Sequence, residues 1–393
     1  MMKEFKVEKP KHKSDFAQEF DFEDLRPYFE NEVEEVMKRM SKEPLYHSIM
    51  RYLSPNITEE QATQKALNTK SIRQFQMDYM SGAIWHIVNT SSDGLTYSGL
   101  DKLDKNKAYL YIANHRDILL DSAITQIVLE KNDFETSEIT FGSNLMERGF
   151  ITDFGKMNRM FAVKREGTVK ELYDISRELS AYIRHTILDK NNSVWIAQRN
   201  GRTKDGNDQT QTGLLKMLGL SGSKDFIKTF SELQIVPLTI SYEYEPCDYL
   251  KVQELYLSSL HSKYIKAPGE DLNSIITGVK QYKGKIHLSF GTPIIEELNT
   301  INESGNDNEK IKKLTAVIDK QIYNHYKLFP VNHIAYDTLF QTNVFENNYS
   351  DTEKTNFLKY IDEKASGLKG EQDVLKSMFY KMYAAPVINK LAK

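Results

Sequence analysis

One rhythm limits the folding choices of this chain more than any other feature: short runs of β-branched and aromatic residues alternate with helical stretches. Ala108 to Ala113 (AYLYIA), Glu138 to Gly142 (EITFG), Ser193 to Ala197 (SVWIA) and Leu233 to Tyr242 (LQIVPLTISY) each read as a strand, and Lys285 to Phe290 (KIHLSF) adds a last one. The clearest helix between them is Glu171 to Leu188, with Leu172, Ile175, Leu179, Tyr182 and Ile183 along one face. Such alternation predicts an α/β domain built on a mixed, largely parallel sheet flanked by helices. On both sides the pattern turns helical, with Val33, Val36, Met37 and Met40 forming a stripe upstream and Ile311, Leu314, Ile318 and Ile322 another downstream. The predicted organisation is a helical region over 1–94, the α/β domain over 95–294 and a second helical region over 295–393.

At 393 residues the chain is long enough for two or three such units and a sizeable core. Lys and Arg number 52 against 55 Asp and Glu, a net charge of −3, which argues against a nucleic-acid partner. The single cysteine, Cys247, excludes an internal disulfide and a Cys-based zinc cluster, and it fits a reducing, cytoplasmic setting. The longest uncharged stretch, Tyr79 to Ser92, is too short and too polar for a bilayer span, which needs about 20 mostly apolar residues. The opening MMKEFKVEKPKHKSDF alternates lysines with acids, so no signal peptide is expected.

Chemically capable residues gather after the strands. Asn114-His115-Arg116-Asp117-Ile118-Leu119-Leu120-Asp121 follows AYLYIA directly and precedes an apolar helical run. In open α/β sheets ligands bind beyond the carboxyl ends of the strands, so a histidine there is a candidate general base. A helix N-terminus beside it favours the neutral imidazole, and a carboxylate from Asp117 or Asp121 would fix its tautomer. The plainer alternative makes Asp117 a helix N-cap and His115 a loop residue. His115-Arg116-Asp117 with the later Asp153-Phe154-Gly155 also spells two protein-kinase signatures. The kinase catalytic loop, however, requires an Asn seven positions after its His, where Ser122 stands, and no glycine-rich loop comes before it.

Two basic segments follow. Phe161-Ala162-Val163-Lys164-Arg165, with Lys156 and Arg159 just upstream, sits at a strand-to-helix junction, where cations and outward N–H groups suit a phosphate. Gln198-Arg199-Asn200-Gly201-Arg202-Thr203-Lys204 follows SVWIA and combines three cations with a glycine that lets the backbone approach a ligand. From Lys156 to Lys204 there are 11 Lys and Arg against 5 Asp and Glu, an excess of +6 in a chain of −3, which points to a polyanionic ligand of modest size. In Ile235-Val236-Pro237-Leu238-Thr239-Ile240, a proline inside a strand pattern implies an edge, a bulge or a strand start.

In this order, with about 50, 37 and 35 residues between successive members, the four features resemble the glycerol-phosphate acyltransferase superfamily, which includes bacterial lysophosphatidate acyltransferases. The resemblance spans Leu95 to Ile294 and takes in Phe290-Gly291-Thr292-Pro293-Ile294 near its end. It implies an acyltransferase of phospholipid synthesis. His115 would take the proton of an acceptor hydroxyl as that oxygen attacks an acyl thioester, either acyl-CoA or acyl-carrier protein, while an Asp orients the ring. Phe161 and Arg165, with the Gly201-Arg202 block, would hold the phosphate of a glycerol-phosphate or lysophospholipid-type acceptor; Lys164, Arg199 and Asn200 stand beside them as further candidate contacts. Pro237 would help to shape the donor channel. The resemblance implies no metal and no cofactor beyond the thioester co-substrate.

Two departures accompany it. The family's Asp lies five positions after the His, where this chain has Leu120; Asp121 at plus six is preferred over Asp117 at plus two. The glutamate of the third motif is absent, its place taken by Asn200 or Arg199. The lost carboxylate motivates an alternative, a catalytically silent relative that binds lipid or acyl-carrier protein. Lipid substrates without a spanning helix imply transient docking on the inner membrane face, through the helical preamble or the segment from Met77 to Val88.

Overall fold

A seven-stranded sheet organises the computed structural model, which describes residues 20–143, 149–163, 167–260, 264–303 and 305–392. In chain order the strands are β1 (Gly94–Ser98), β2 (Leu110–Ala113), β3 (Glu138–Gly142), β4 (Met160–Val163), β5 (Val194–Ala197), β6 (Ile235–Tyr242) and β7 (Lys285–Phe290). Across the sheet they lie in the order β1-β7-β6-β2-β5-β3-β4. Every neighbouring pair is parallel except β6 and β7. This is the mixed, largely parallel α/β sheet that the alternating pattern predicts. β1 escapes the strand reading because GLTYS is a short edge strand, half exposed and paired only with β7, so it carries little apolar signal.

Successive residues of the central strands enter opposite cores. On one face Leu110, Ile112, Val194 and Ile196 pack with helix α2 (Val169–Leu188) through Leu179, Tyr182 and Ile183. On the other, Tyr111, Ala113 and Trp195 pack with helix α1 (Leu120–Lys131) through Ile124, Ile127 and Val128. Helix α3 (Glu270–Lys280) precedes β7. Helix α4 (Asp307–His325) lays Ile311, Leu314, Ile318 and Ile322 into the first of these cores, although it lies beyond the predicted boundary at 294. Upstream, Val33, Val36, Met37 and Met40 pack with Phe150 and Met157. Downstream, helix α5 (Gln372–Leu391) forms a separate apolar cluster with Val252, Phe329 and Phe357. Among the described residues no helix is long and apolar enough to cross a membrane.

Pro237 corrects one expectation. It lies at neither a sheet edge nor a strand start but at the third position of β6, which pairs with β2 on one side and β7 on the other. The pairing explains the tolerance: β7 ends at Phe290 opposite Leu238, and the Pro237 carbonyl accepts the N–H of Gly291 one step further on. The missing proline N–H therefore faces the end of the β6–β7 ladder, where a lost bond to the facing chain costs least.

Candidate active site

The carboxyl ends of β2, β3, β5 and β6 converge on one place. β2 ends at Ala113, and the next six residues turn before α1 begins. Asn114 ties this turn to β6, its side-chain amide donating to the Ile240 carbonyl at 3.0 Å and its oxygen accepting the Ile240 N–H at 2.8 Å. Asp117 caps the helix: its Oδ1 accepts the N–H groups of Leu119 and Leu120 at 2.9 and 2.8 Å. Among the described residues its Oδ2 is buried without a hydrogen-bond partner, and burial, followed by the charge of Asp121, pushes the Asp117 carboxyl up from its ordinary range.

Capping by Asp117 sets where the helix starts, and that brings Asp121 under His115. His115 Nδ1 lies 2.9 Å from Asp121 Oδ2. The same oxygen accepts the backbone N–H of Arg116 at 2.6 Å and of Asp117 at 2.8 Å, while Oδ1 accepts the Tyr242 hydroxyl at 3.0 Å. Surrounded by donors, the Asp121 carboxyl acts only as an acceptor, so in the neutral ring the proton sits on Nδ1 and Nε2 keeps its lone pair. No hydrogen bond reaches Nε2 among the described residues, and the ring meets Trp195 edge to face at 6.1 Å between centroids. Of the two open candidates, Asp121 is thus the partner of His115 and Asp117 the cap.

Beneath the turn is a buried, charge-balanced cluster. Arg116, 1% exposed, donates to Asp208 at 2.5 Å, to Glu245 at 3.1 Å and to the Gly206 carbonyl at 3.0 Å. Lys251 donates to Glu245 and to the Arg116 carbonyl, both at 2.6 Å. Two cations meet two carboxylates, with both terminal nitrogens of Arg116 and the Lys251 ammonium engaged, which offsets the cost of burying the charges.

His115 stands at the head of a cavity of about 440 Å³. Val163, Ile175, Leu179, Leu214 and Met217 give it an apolar wall; Arg199, Asn200, Gly201 and Arg202 give it a polar one. Arg202, only 8% exposed, donates from Nη2 to Ser274 Oγ at 2.8 Å. Among the described residues the only acidic side chain on the lining is Asp271, which pairs with Lys266. The third segment therefore meets the cavity without a carboxylate of its own.

The remaining candidates are placed differently. Phe161 belongs to the core and not to the cavity wall: it is fully buried, with its ring 5.0 Å from that of Tyr182, because β4 points it inward towards α2. Pro237 is buried within β6 and also misses the cavity. Lys164 and Arg165 lie outside the described residues. The excess of +6 does not form one anion site either. Arg184 pairs with Glu232, Lys190 with Glu138 and Lys204 with Glu254, while Lys156 and Arg159 bond the carbonyls of Asp24 and Thr136. Of the described cations between 156 and 204, Arg199 and Arg202 line the cavity. The kinase-like letters separate as well: Asp153 lies inside the helix Phe150–Met157, ion-paired with Arg39 at 2.7 Å.

Sequence reasoning missed Tyr242, Trp195 and the partners of Arg116. Tyr242 is 121 residues from Asp121 and Asp208 is 92 from Arg116, so no local spacing could have joined them.

No protein-family model matches the chain, and no curated protein matches its sequence. Among solved structures the chain is similar to the 1-acyl-sn-glycerophosphate acyltransferase PlsC of Thermotoga maritima, at 10% identity over 75% of this chain and 97% of that one, with a TM-score of 0.38. A likeness that loose assigns no activity, which has to be argued from the residues around His115.

Proposed function

We propose that the chain is an O-acyltransferase that moves a fatty acyl group from an acyl thioester, acyl-CoA or acyl-carrier protein, to a hydroxyl of a glycerol-phosphate or lysophospholipid-type acceptor. The observation that carries this reading is the His115–Asp121 pair at the head of a cavity with one apolar and one cationic wall. In the proposed step Nε2 takes the hydroxyl proton as the oxygen attacks the thioester carbonyl. The tetrahedral intermediate then collapses with cleavage of the C–S bond, and the imidazolium returns the proton to the departing thiolate. No acyl-enzyme forms. Arg199 and Arg202 would hold the acceptor's phosphate, and the apolar wall would take hydrocarbon. The reaction would run at the cytoplasmic face of the membrane, the protein docking there transiently.

His115→Ala tests this, with thiol release and ester product followed together for acyl-CoA and acyl-carrier-protein donors against glycerol 3-phosphate and lysophosphatidate. Acceptor-dependent release that falls about 100-fold or more in the variant is expected. Turnover that survives the replacement defeats the base assignment. One observation favours a second reading: the polar wall at Arg199 to Arg202 lacks a carboxylate, as a silent relative that binds lipid or acyl-carrier protein would allow. Absence of wild-type turnover with every donor and acceptor, together with retained binding, would support it.

A further inference from the structure

We propose that Tyr242 is a positioning residue that aims the His115–Asp121 pair; only the kinetic arm of its test rests on the acyl-transfer reading. The reach of Tyr242 comes from strand length. β2 ends at Ala113 opposite Leu238, and β6 runs four residues further, so its end overhangs the turn that carries His115. Asn114 locks the overhang by bonding both backbone groups of Ile240. Two residues on, on the same face of the strand, the Tyr242 hydroxyl meets Asp121 Oδ1 at 3.0 Å.

That bond differs in kind from the other three. His115 Nδ1 and the amides of Arg116 and Asp117 all converge on Oδ2, which fixes one oxygen and leaves the carboxyl plane free to turn about it. Among the described residues Tyr242 is the only donor to Oδ1, and so it sets the plane. The ring is 1% exposed and packs among apolar neighbours, a place a phenylalanine would fill equally well; a buried hydroxyl there is costly unless it is bonded. Burial, and after it the charge of Asp121, hold the phenol well above its usual range, so it remains a donor at physiological pH.

The test is Tyr242→Phe in the full-length chain, which removes one oxygen and keeps the ring. Deprived of the Oδ1 bond, the carboxylate concentrates its charge on Oδ2, so the His115 Nδ1–H proton resonance should move downfield, with the signal assigned by its loss in His115→Gln. With acyl transfer measurable, kcat should fall about tenfold at unchanged KM, the size of one hydrogen bond to a charged group. An unmoved Nδ1–H resonance overturns the proposal whether or not a substrate is known, and a moved resonance with unchanged kcat overturns its catalytic meaning. If wild type transfers no acyl group at all, the functional reading fails while the resonance still decides the positioning role. A melting temperature close to that of wild type is expected, and a large drop accompanied by an unmoved resonance would assign Tyr242 to packing alone.

Discussion

Asp117 and Asp121 are the same residue type four positions apart, yet they do different work, because the first turn of α1 puts one at the helix end and the other under the ring. The division depends on a third residue. Helix α3 passes so close to the cap that a Cβ on Gly278 would collide with Asp117 Oδ2. Gly278→Ala should therefore displace the cap or the helix and lower stability by about 1–3 kcal/mol in urea denaturation, the usual cost of forcing atoms into a packed site. An unchanged midpoint would mean that the approach is looser than the structure has it. At this scale the sequence is informative where the motif is contiguous: His115 and both acids fall within seven residues and can be found by eye. It cannot choose between the acids, since their distances from the ring depend on where the helix begins. Phe161 shows the opposite failure, a residue whose letters fit a pattern but whose strand aims it into the core.

Among the elements, β6 carries the most. It runs parallel to β2 on one side and antiparallel to β7 on the other, clamps the His115 turn through Ile240 and delivers Tyr242. Its proline is a consequence of where β7 stops and not a feature of the cavity. Pro237→Ala should thus change stability by no more than about 1 kcal/mol, since the lost chain stiffness is opposed by a new N–H available to Gly291. Activity should be unaltered; a marked loss of kcat would restore Pro237 to the substrate channel. The five strands readable from sequence are those whose β-branched and aromatic runs give a local signal. β1 is an edge strand with one partner, and its pairing with β7 joins segments about 190 residues apart, a relation absent from any local window.

Across the whole molecule, the carboxy-terminal helix is tied to the site from behind. Pro386 cannot donate to the Met382 carbonyl four residues back, and that carbonyl lies against Gly206, whose own carbonyl accepts from Arg116. The Tyr383 hydroxyl accepts the Glu245 N–H and donates to Asp248. Deleting residues 372–393 removes Leu375, Phe379, Met382 and Tyr383, all buried, and should abolish cooperative unfolding, as circular dichroism melts and gel filtration would report. A truncated chain that melts like the full one would make the helix an independent appendage. The sequence by itself determined the α/β class and singled out the turn after β2 that carries His115 as a candidate, because both are written in the spacing of near neighbours. Tertiary structure alone decided which Asp meets the histidine, which cations reach the cavity and which are consumed in distant ion pairs. The first outcome depends on where α1 begins, and the second on ion pairs between residues 48 to 52 apart in the chain, where electrostatic pairing and burial act on spatial distance and chain spacing carries no record of it.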